Sequence, residues 1–151
     1  MKRIFLITGS LVLVLAAALF LFSINRSPYQ DGIYSAQAAE FANSGWKETV
    51  QVTIEDGKIA KINWDAIYKD DSIPIRKKQY SKSGLYGMLA AGASNEWYDQ
   101  ALAAEQFVLR NGIDALQVGD EGGTDAVTGC TIHVNEFQQL VYECLEQAKR
   151  Q

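Results

Sequence analysis

The chain has 151 residues, 48% of them hydrophobic, and a formal net charge of −4. That length fits one domain with an appendage, and the apolar content is ordinary for a globular protein. The acidic balance, with no basic stripe carrying interleaved aromatics, excludes nucleic acid as a partner.

Residues 4–24, IFLITGSLVLVLAAALFLFSI, carry no charge. As a helix the stretch spans about 30 Å, the thickness of a bilayer's hydrocarbon core. Lys2 and Arg3 precede it and favour a cytoplasmic start; Arg26 follows and weakens that asymmetry without reversing it. The run exceeds the ~7–15 residues of a signal-peptide core, and its exit, LFLFSINRS, lacks an A-x-A-like cleavage site. Residues 1–27 therefore read as one uncleaved transmembrane helix and a short tether, in contact with membrane lipid through 4–24; a cleaved signal peptide is the alternative. Residues 28–151 read as a domain outside the cytoplasmic membrane, periplasmic or extracellular. That domain holds 11 Lys+Arg against 18 Asp+Glu, a formal charge of −7.

DGIYSAQAAEF (31–41) predicts a first strand, and ETVQVTIEDGKIAKINWDAIY (48–68) a hairpin. Val50, Val52 and Ile54 alternate on one face, Asp56-Gly57 supplies two positive-φ turn positions, and Ala60, Ile62 and Trp64 alternate on the return. The polar span 69–83 contains Pro74 and reads as a loop; within it RKKQYSK (76–82), the one basic cluster, reads as a solvated face. SNEWYDQALAAEQFVLRNG (94–112) predicts a helix capped by Ser94 or Asn95, buried along Trp97, Ala101, Ala104 and Val108, and ended by Asn111-Gly112. GDEGGTDAVTG (119–129) has no periodicity. A last helix over 131–147 carries the apolar stripe Phe137, Leu140, Val141, Cys144, Leu145 and Ala148. The fold class that follows is α+β, an antiparallel sheet with two packed helices. In such a helix Cys130 and Cys144 are separated by about 21 Å of rise, whereas a disulfide needs Cα atoms within about 7 Å; they should not pair.

TDAVTGCT (124–131) is small, nearly uncharged and rich in hydroxyls, at what reads as a helix entrance. A helix N-terminus presents unpaired N–H groups and the positive end of its dipole, and phosphate is a natural ligand there. Gly129 permits close backbone approach. Thr128 and Thr131 offer hydroxyls to cap the helix or touch phosphate, and the Asp125 carboxylate is expected to brace loop amides. Cys130 at a helix start is expected to have a lowered pKa.

DAVTGCT resembles the Asp-x-x-Ser/Thr-Gly-Ala/Ser-Thr signature of the FMN-binding domain family, which includes the flavin-carrying C subunit of the sodium-pumping NADH:quinone oxidoreductase, the G subunit of the Rnf complex and small membrane-anchored extracytoplasmic proteins. DGIYSAQAAE, VQVTIEDGKIAKINWD and EWYDQALAAEQFVL resemble the domain in matching order, so the likeness spans roughly residues 31–148. A single anchor and small size resemble the stand-alone branch. The resemblance implies FMN as cofactor, joined through its phosphate to Thr131 by a flavin transferase, with Asp125, Thr128 and Gly129 at the other motif positions. Cys130 departs from the usual alanine or serine. It also implies electron transfer with a membrane donor, a quinone or flavoprotein, rather than independent catalysis.

Tyr86 and Met88, in the glycine-flanked GLYGML, are candidates for contact with the isoalloxazine; Trp64 and Trp97, on apolar faces, read as core. No catalytic triad stands out. His133 with two distant cysteines does not make a typical zinc site, and DEGGTD lacks the EF-hand spacing. Three readings result: covalent FMN on Thr131, FMN held without a bond, or a flavin-free interaction module on the same scaffold.

Overall fold

A computed structural model describes residues 27–150; the membrane anchor expected at 4–24 lies outside the described residues. Among the described residues no helix is long and apolar enough to cross a membrane. Three strands form an antiparallel sheet in the order β1 (Gly32–Gln37), β2 (Trp46–Glu55), β3 (Lys58–Tyr68). Three helices follow: α1 (Lys77–Lys82), α2 (Trp97–Asn111) and α3 (Asn135–Ala148), with a 3₁₀ turn at Ile113–Ala115. The α+β class, the antiparallel sheet and the two long helices agree with the sequence. The short α1 does not: it lies within the span expected to be a loop, and its basic run is not all solvated, since Lys77 is buried.

The β2–β3 hairpin turns as its Asp-Gly predicts, with φ of 50° at Asp56 and 68° at Gly57, both in the left-handed region that a tight hairpin turn requires. The return strand departs in one place. Pairing shifts between Thr53 (opposite Lys61) and Ile54 (opposite Ile59), so Ala60 is the extra residue of a bulge and is exposed, while Ile59 packs on the core in its stead. The chain preceding β1 is tied to the chain end: Tyr29 bridges Lys149, and Gln30 N donates to Ala148 O at 2.8 Å.

One sheet face is apolar and carries α3 across β1 and β2 and α2 along β3. Val50, Val52, Ile54, Ile62 and Trp64 meet the helix stripes expected from spacing, Trp97, Ala101, Ala104 and Val108 from α2 and Phe137 through Ala148 from α3, all buried. Trp64 stacks on Phe137 (ring centroids 4.6 Å, 18° between planes) and meets Trp97 edge-on (5.1 Å, 68°), so the core assignment of both tryptophans holds. Cys144 is buried and Cys130 half-buried, and both thiols are free.

The open edge of β3 needs acceptors for its outward amides. Glu105, a buried carboxylate midway along α2, accepts from Trp64 N and from Lys78 Nζ, both at 2.5 Å. Asp65 Oδ1 accepts from Ala66 N at 2.8 Å and Lys78 N at 2.9 Å, docking α1 on the same edge. Replacing Glu105 by Leu strands an edge amide and leaves the Lys78 ammonium with Asn63 Oδ1 and no carboxylate. The expected cost is about 1–3 kcal/mol, measurable by urea unfolding, and Glu105→Gln, which keeps an acceptor for the amide, should lose less.

Candidate functional site

The loop from 116 to 134 is built by internal bonds. Gly122 N donates to Gly119 O and Gly119 N to Gly123 O, both at 2.9 Å, and Val134 N closes on Gly122 O at 2.7 Å. Gly122 has φ 83°, which favours glycine, and a Cβ there would lie 2.7 Å from Asn135 Oδ1, so that side chain would have to shift. Thr124 is the loop's brace. Its hydroxyl donates to Gln117 O at 2.7 Å and accepts from Ala126 N at 3.2 Å. This corrects the role expected of Asp125, which is exposed beside it; a hydroxyl both donates and accepts, whereas a carboxylate only accepts.

Val127, Ile132 and Val134 are buried, and Thr128 and Gly129 between them are exposed. The apolar anchors thus push Thr128-Gly129 outward as a tight turn, with Cys130 N donating to Val127 O at 3.1 Å and φ 75° at Gly129. Thr131 is exposed at the end of the turn. The last helix does not begin here. It starts at Asn135, so Thr128 does not cap it and the dipole argument for phosphate at Thr131 fails for that helix. The pKa expected of Cys130 is corrected for the same reason: burial pushes its thiol up, and the hydrogen bond to Ile132 O is the weaker, opposing effect.

What holds Thr131 is Gln100, from the first turn of α2. Its buried Oε1 accepts from Thr131 N at 2.6 Å, Thr131 Oγ1 at 3.2 Å and Ile132 N at 3.2 Å, while its Nε2 donates to Asn95 O at 3.1 Å. The motif is therefore mounted on the start of α2, where Asn95 also lies beside Gly129. That helix is not capped by Ser94 or Asn95; Glu96 is its N-cap residue, and its buried carboxylate serves its neighbours instead. Glu96 Oε1 accepts from Leu89 N at 3.1 Å, pinning the 83–93 loop that carries Tyr86 and Met88, and Ser81 of α1 bonds both Glu96 Oε2 (3.4 Å) and Tyr98 N (2.9 Å).

Tyr86 and Met88 are half-buried against the core. Tyr86 lies 6.4 Å from the Trp46 ring, and burial, then Glu48 and Glu96, push its hydroxyl above the ordinary tyrosine range. Glu48 stands in the inward row of β2 among Trp46, Val50 and Val52; its Oε2 accepts from Trp64 Nε1 at 2.9 Å, and burial raises its carboxyl above the usual range. Lys77 Nζ lies 4.2 Å from the Trp97 ring centre and 5.0 Å from that of Tyr86. Burial lowers its ammonium to about 8 against the opposing pull of Glu48 and Asp65.

Thr128, Gly129, Cys130 and Thr131 thus lie together beside the start of α2, with Tyr86 and Met88 on a loop tied to the same turn and Asp125 exposed earlier in the motif loop. Gln100, Glu48 and Lys77 are the residues that sequence reasoning missed. Gln100 and Glu48 leave a trace, each a polar residue in an otherwise apolar row; Lys77 leaves none, because it lies in a basic run.

A family model described as "FMN-binding domain" matches residues 45–146. The 15 kDa lipoprotein of Treponema pallidum (strain Nichols) is 26% identical over 142 residues, 94% of this chain and 91% of that protein. A solution NMR structure from Clostridium thermocellum is 35% identical with TM-score 0.59, covering 80% of this chain and 93% of the other. A crystal structure of a Clostridium perfringens protein, 18% identical with TM-score 0.60 over 80% and 88% of the two chains, shares the fold.

Two outcomes are expected of this geometry. Gln100→Leu strands two amides and a hydroxyl, so hydrogen exchange at Thr131 and Ile132 should quicken by about ten- to a hundredfold, the kinetic equivalent of about 1–3 kcal/mol of lost protection. Lys77 has a folded pKa near 8 against about 10.4 unfolded, so between those values the unfolded chain holds more protons. Stability should therefore rise as pH rises from about 8 towards 10, and thermal melts of Lys77→Met should lack that rise.

Proposed function

The chain belongs to the FMN-binding domain family and takes FMN as its cofactor, and from that premise we propose that it is a membrane-anchored, extracytoplasmic electron carrier with FMN esterified to Thr131. The observation that carries this reading is the state of Thr131: exposed, at the end of a glycine turn, with its hydroxyl and amide both held by one buried acceptor. A hydroxyl donating its proton inward to Gln100 Oε1 keeps oxygen lone pairs free to face a phosphorus. Esterification takes that proton from Oγ1 and removes one of the three donors from Gln100, leaving the two amides to keep the loop in place. The donor set fits a phosphate ester better than a metal: hydroxyls and backbone line the turn, and among the described residues no cluster of His, Cys, Asp and Glu could hold an ion.

A flavin transferase supplies the activated flavin nucleotide, whose leaving group departs as Oγ1 bonds to phosphorus. Cys130 fits the small middle position of the motif, and its raised pKa keeps it a neutral thiol beside the attachment point. Tyr86 and Met88 would flank the ring and limit its contact with water. Bound FMN supplies reversible electron uptake, and a membrane quinone or flavoprotein serves as donor. An uncleaved anchor at 4–24 holds the 28–151 domain at the membrane; the Treponema relative's being a lipoprotein supports a membrane-bound location.

Co-expression with a flavin transferase should yield a protein whose mass exceeds the bare chain by FMN less water, with the increment on the peptide containing Thr131 and absent in Thr131→Val. Flavin that is released on denaturation, or an increment that persists in Thr131→Val, would overturn the attachment and leave only non-covalent binding.

A further inference from the structure

Lys77 is unexplained by the fold. It is 5% exposed, yet its Nζ has neither a hydrogen bond nor an ion pair with any described residue, while its neighbour Lys78 has both. Among the described residues no buried side-chain nitrogen lacks a partner, so the stem of Lys77 is buried while its Nζ reaches the surface. Here the charge is kept between two ring faces, Trp97 and Tyr86. The groups facing it are Glu48 from β2 and Asp65 from β3, both outside ion-pair distance; Glu96 acts on Tyr86, and His133 and Glu136 act on Glu48. Asp65 already accepts two backbone amides and Glu48 the Trp64 indole. The cation thus has two ring contacts but no hydrogen-bond or ion-pair partner of its own.

Its position relates it to the attachment point. Lys77 Nζ sits over Trp97, and Gln100, one helical turn further along α2, holds Thr131. A turn of α-helix rises about 5.4 Å, less than the reach of a ribityl phosphate arm. We infer that Lys77 is the cationic contact for the ring end of FMN, its ammonium donating to the carbonyl-bearing pyrimidine edge of the isoalloxazine. This rests on the reading of Thr131 as the point at which the other end is fixed.

Two electrons and one proton taken up by the ring leave one negative charge on that edge. An ammonium held beside it, in a site of low polarity, favours the reduced form over the oxidised one. Lys77 is then a cofactor-binding residue that sets the potential. A purely structural pin between Trp97 and Tyr86 would leave the potential alone.

The test uses the full chain loaded with flavin, with occupancy checked by mass. Dithionite titration against reference dyes should place the two-electron midpoint potential of Lys77→Met at least about 30 mV below wild type, a tenfold loss of preference for the reduced form, with Lys77→Arg close to wild type. Lysine-labelled NMR of the wild-type protein should show the Lys77 pKa rising on reduction. Equal potentials in wild type and Lys77→Met at equal occupancy overturn the proposal, as does a Lys77 pKa that reduction does not move. If the chain carries no ester, the same titration is run on the complex with added FMN, so that failure of the attachment and failure of the lysine are read separately.

Discussion

Trp64 joins every layer of this molecule. It projects from the edge strand β3, stacks on Phe137 of α3, meets Trp97 of α2 edge-on, and donates its indole N–H to Glu48 of β2. Its backbone amide is taken by Glu105 of α2. One residue thereby fixes both long helices against the sheet. Its ring system supplies a large apolar area, and its single polar atom has a partner, the two conditions under which a tryptophan can be fully buried without penalty. Everything at the candidate site is measured from the helix that Trp64 positions.

That helix, α2, does more than cover the sheet. Its N-terminal approach and first turn carry Asn95, Glu96, Trp97 and Gln100, and each reaches a different segment: the Gly129 turn, the Tyr86–Met88 loop, the Lys77 ammonium and Thr131. A surface loop of some twenty residues without regular structure would ordinarily be free to move. Here one buried carbonyl oxygen accepts three donors from it, and buried Val127, Ile132 and Val134 hold either side. The exposed Thr128-Gly129 turn and Thr131 are therefore presented from a fixed base, as a site of modification on a folded protein requires.

Polar groups in a core are retained at a cost, and their distribution here is uneven. Glu105 and Asp65 are satisfied by amides and by Lys78, and they close an otherwise open sheet edge. Glu48 and Lys77 close nothing. They lie on the side of Trp97 and Tyr86, with the carboxyl raised and the ammonium lowered by the same burial. Glu48 is occupied by the Trp64 indole, and Lys77 by the faces of Trp97 and Tyr86.

The alternation of Val50, Val52 and Ile54, the Asp56-Gly57 turn and the 3.6-residue stripes of α2 and α3 were legible in the sequence because each depends only on period and local φ preference. The small, hydroxyl-bearing stretch at 124–131 was legible for the same reason, as was its likeness to a flavin-binding signature. Other features were not. That α3 starts at Asn135 rather than at Thr131 is decided by Val134, whose amide bonds Gly122 O and whose side chain is buried in the core. The bulge at Ala60 is a matter of how β3 registers on β2, and α1 docks within a polar span where Asp65 accepts the Lys78 amide. The roles of Gln100, Glu48 and Lys77 required the tertiary structure altogether, since each is defined by partners distant in sequence, such as Thr131, 31 positions from Gln100, and Trp64, 16 from Glu48. The chain by itself determined which faces must be buried and which segment could bear a cofactor; only folding decided what orients that segment and where the Lys77 ammonium stands, because both depend on groups that sequence distance keeps apart until the core closes.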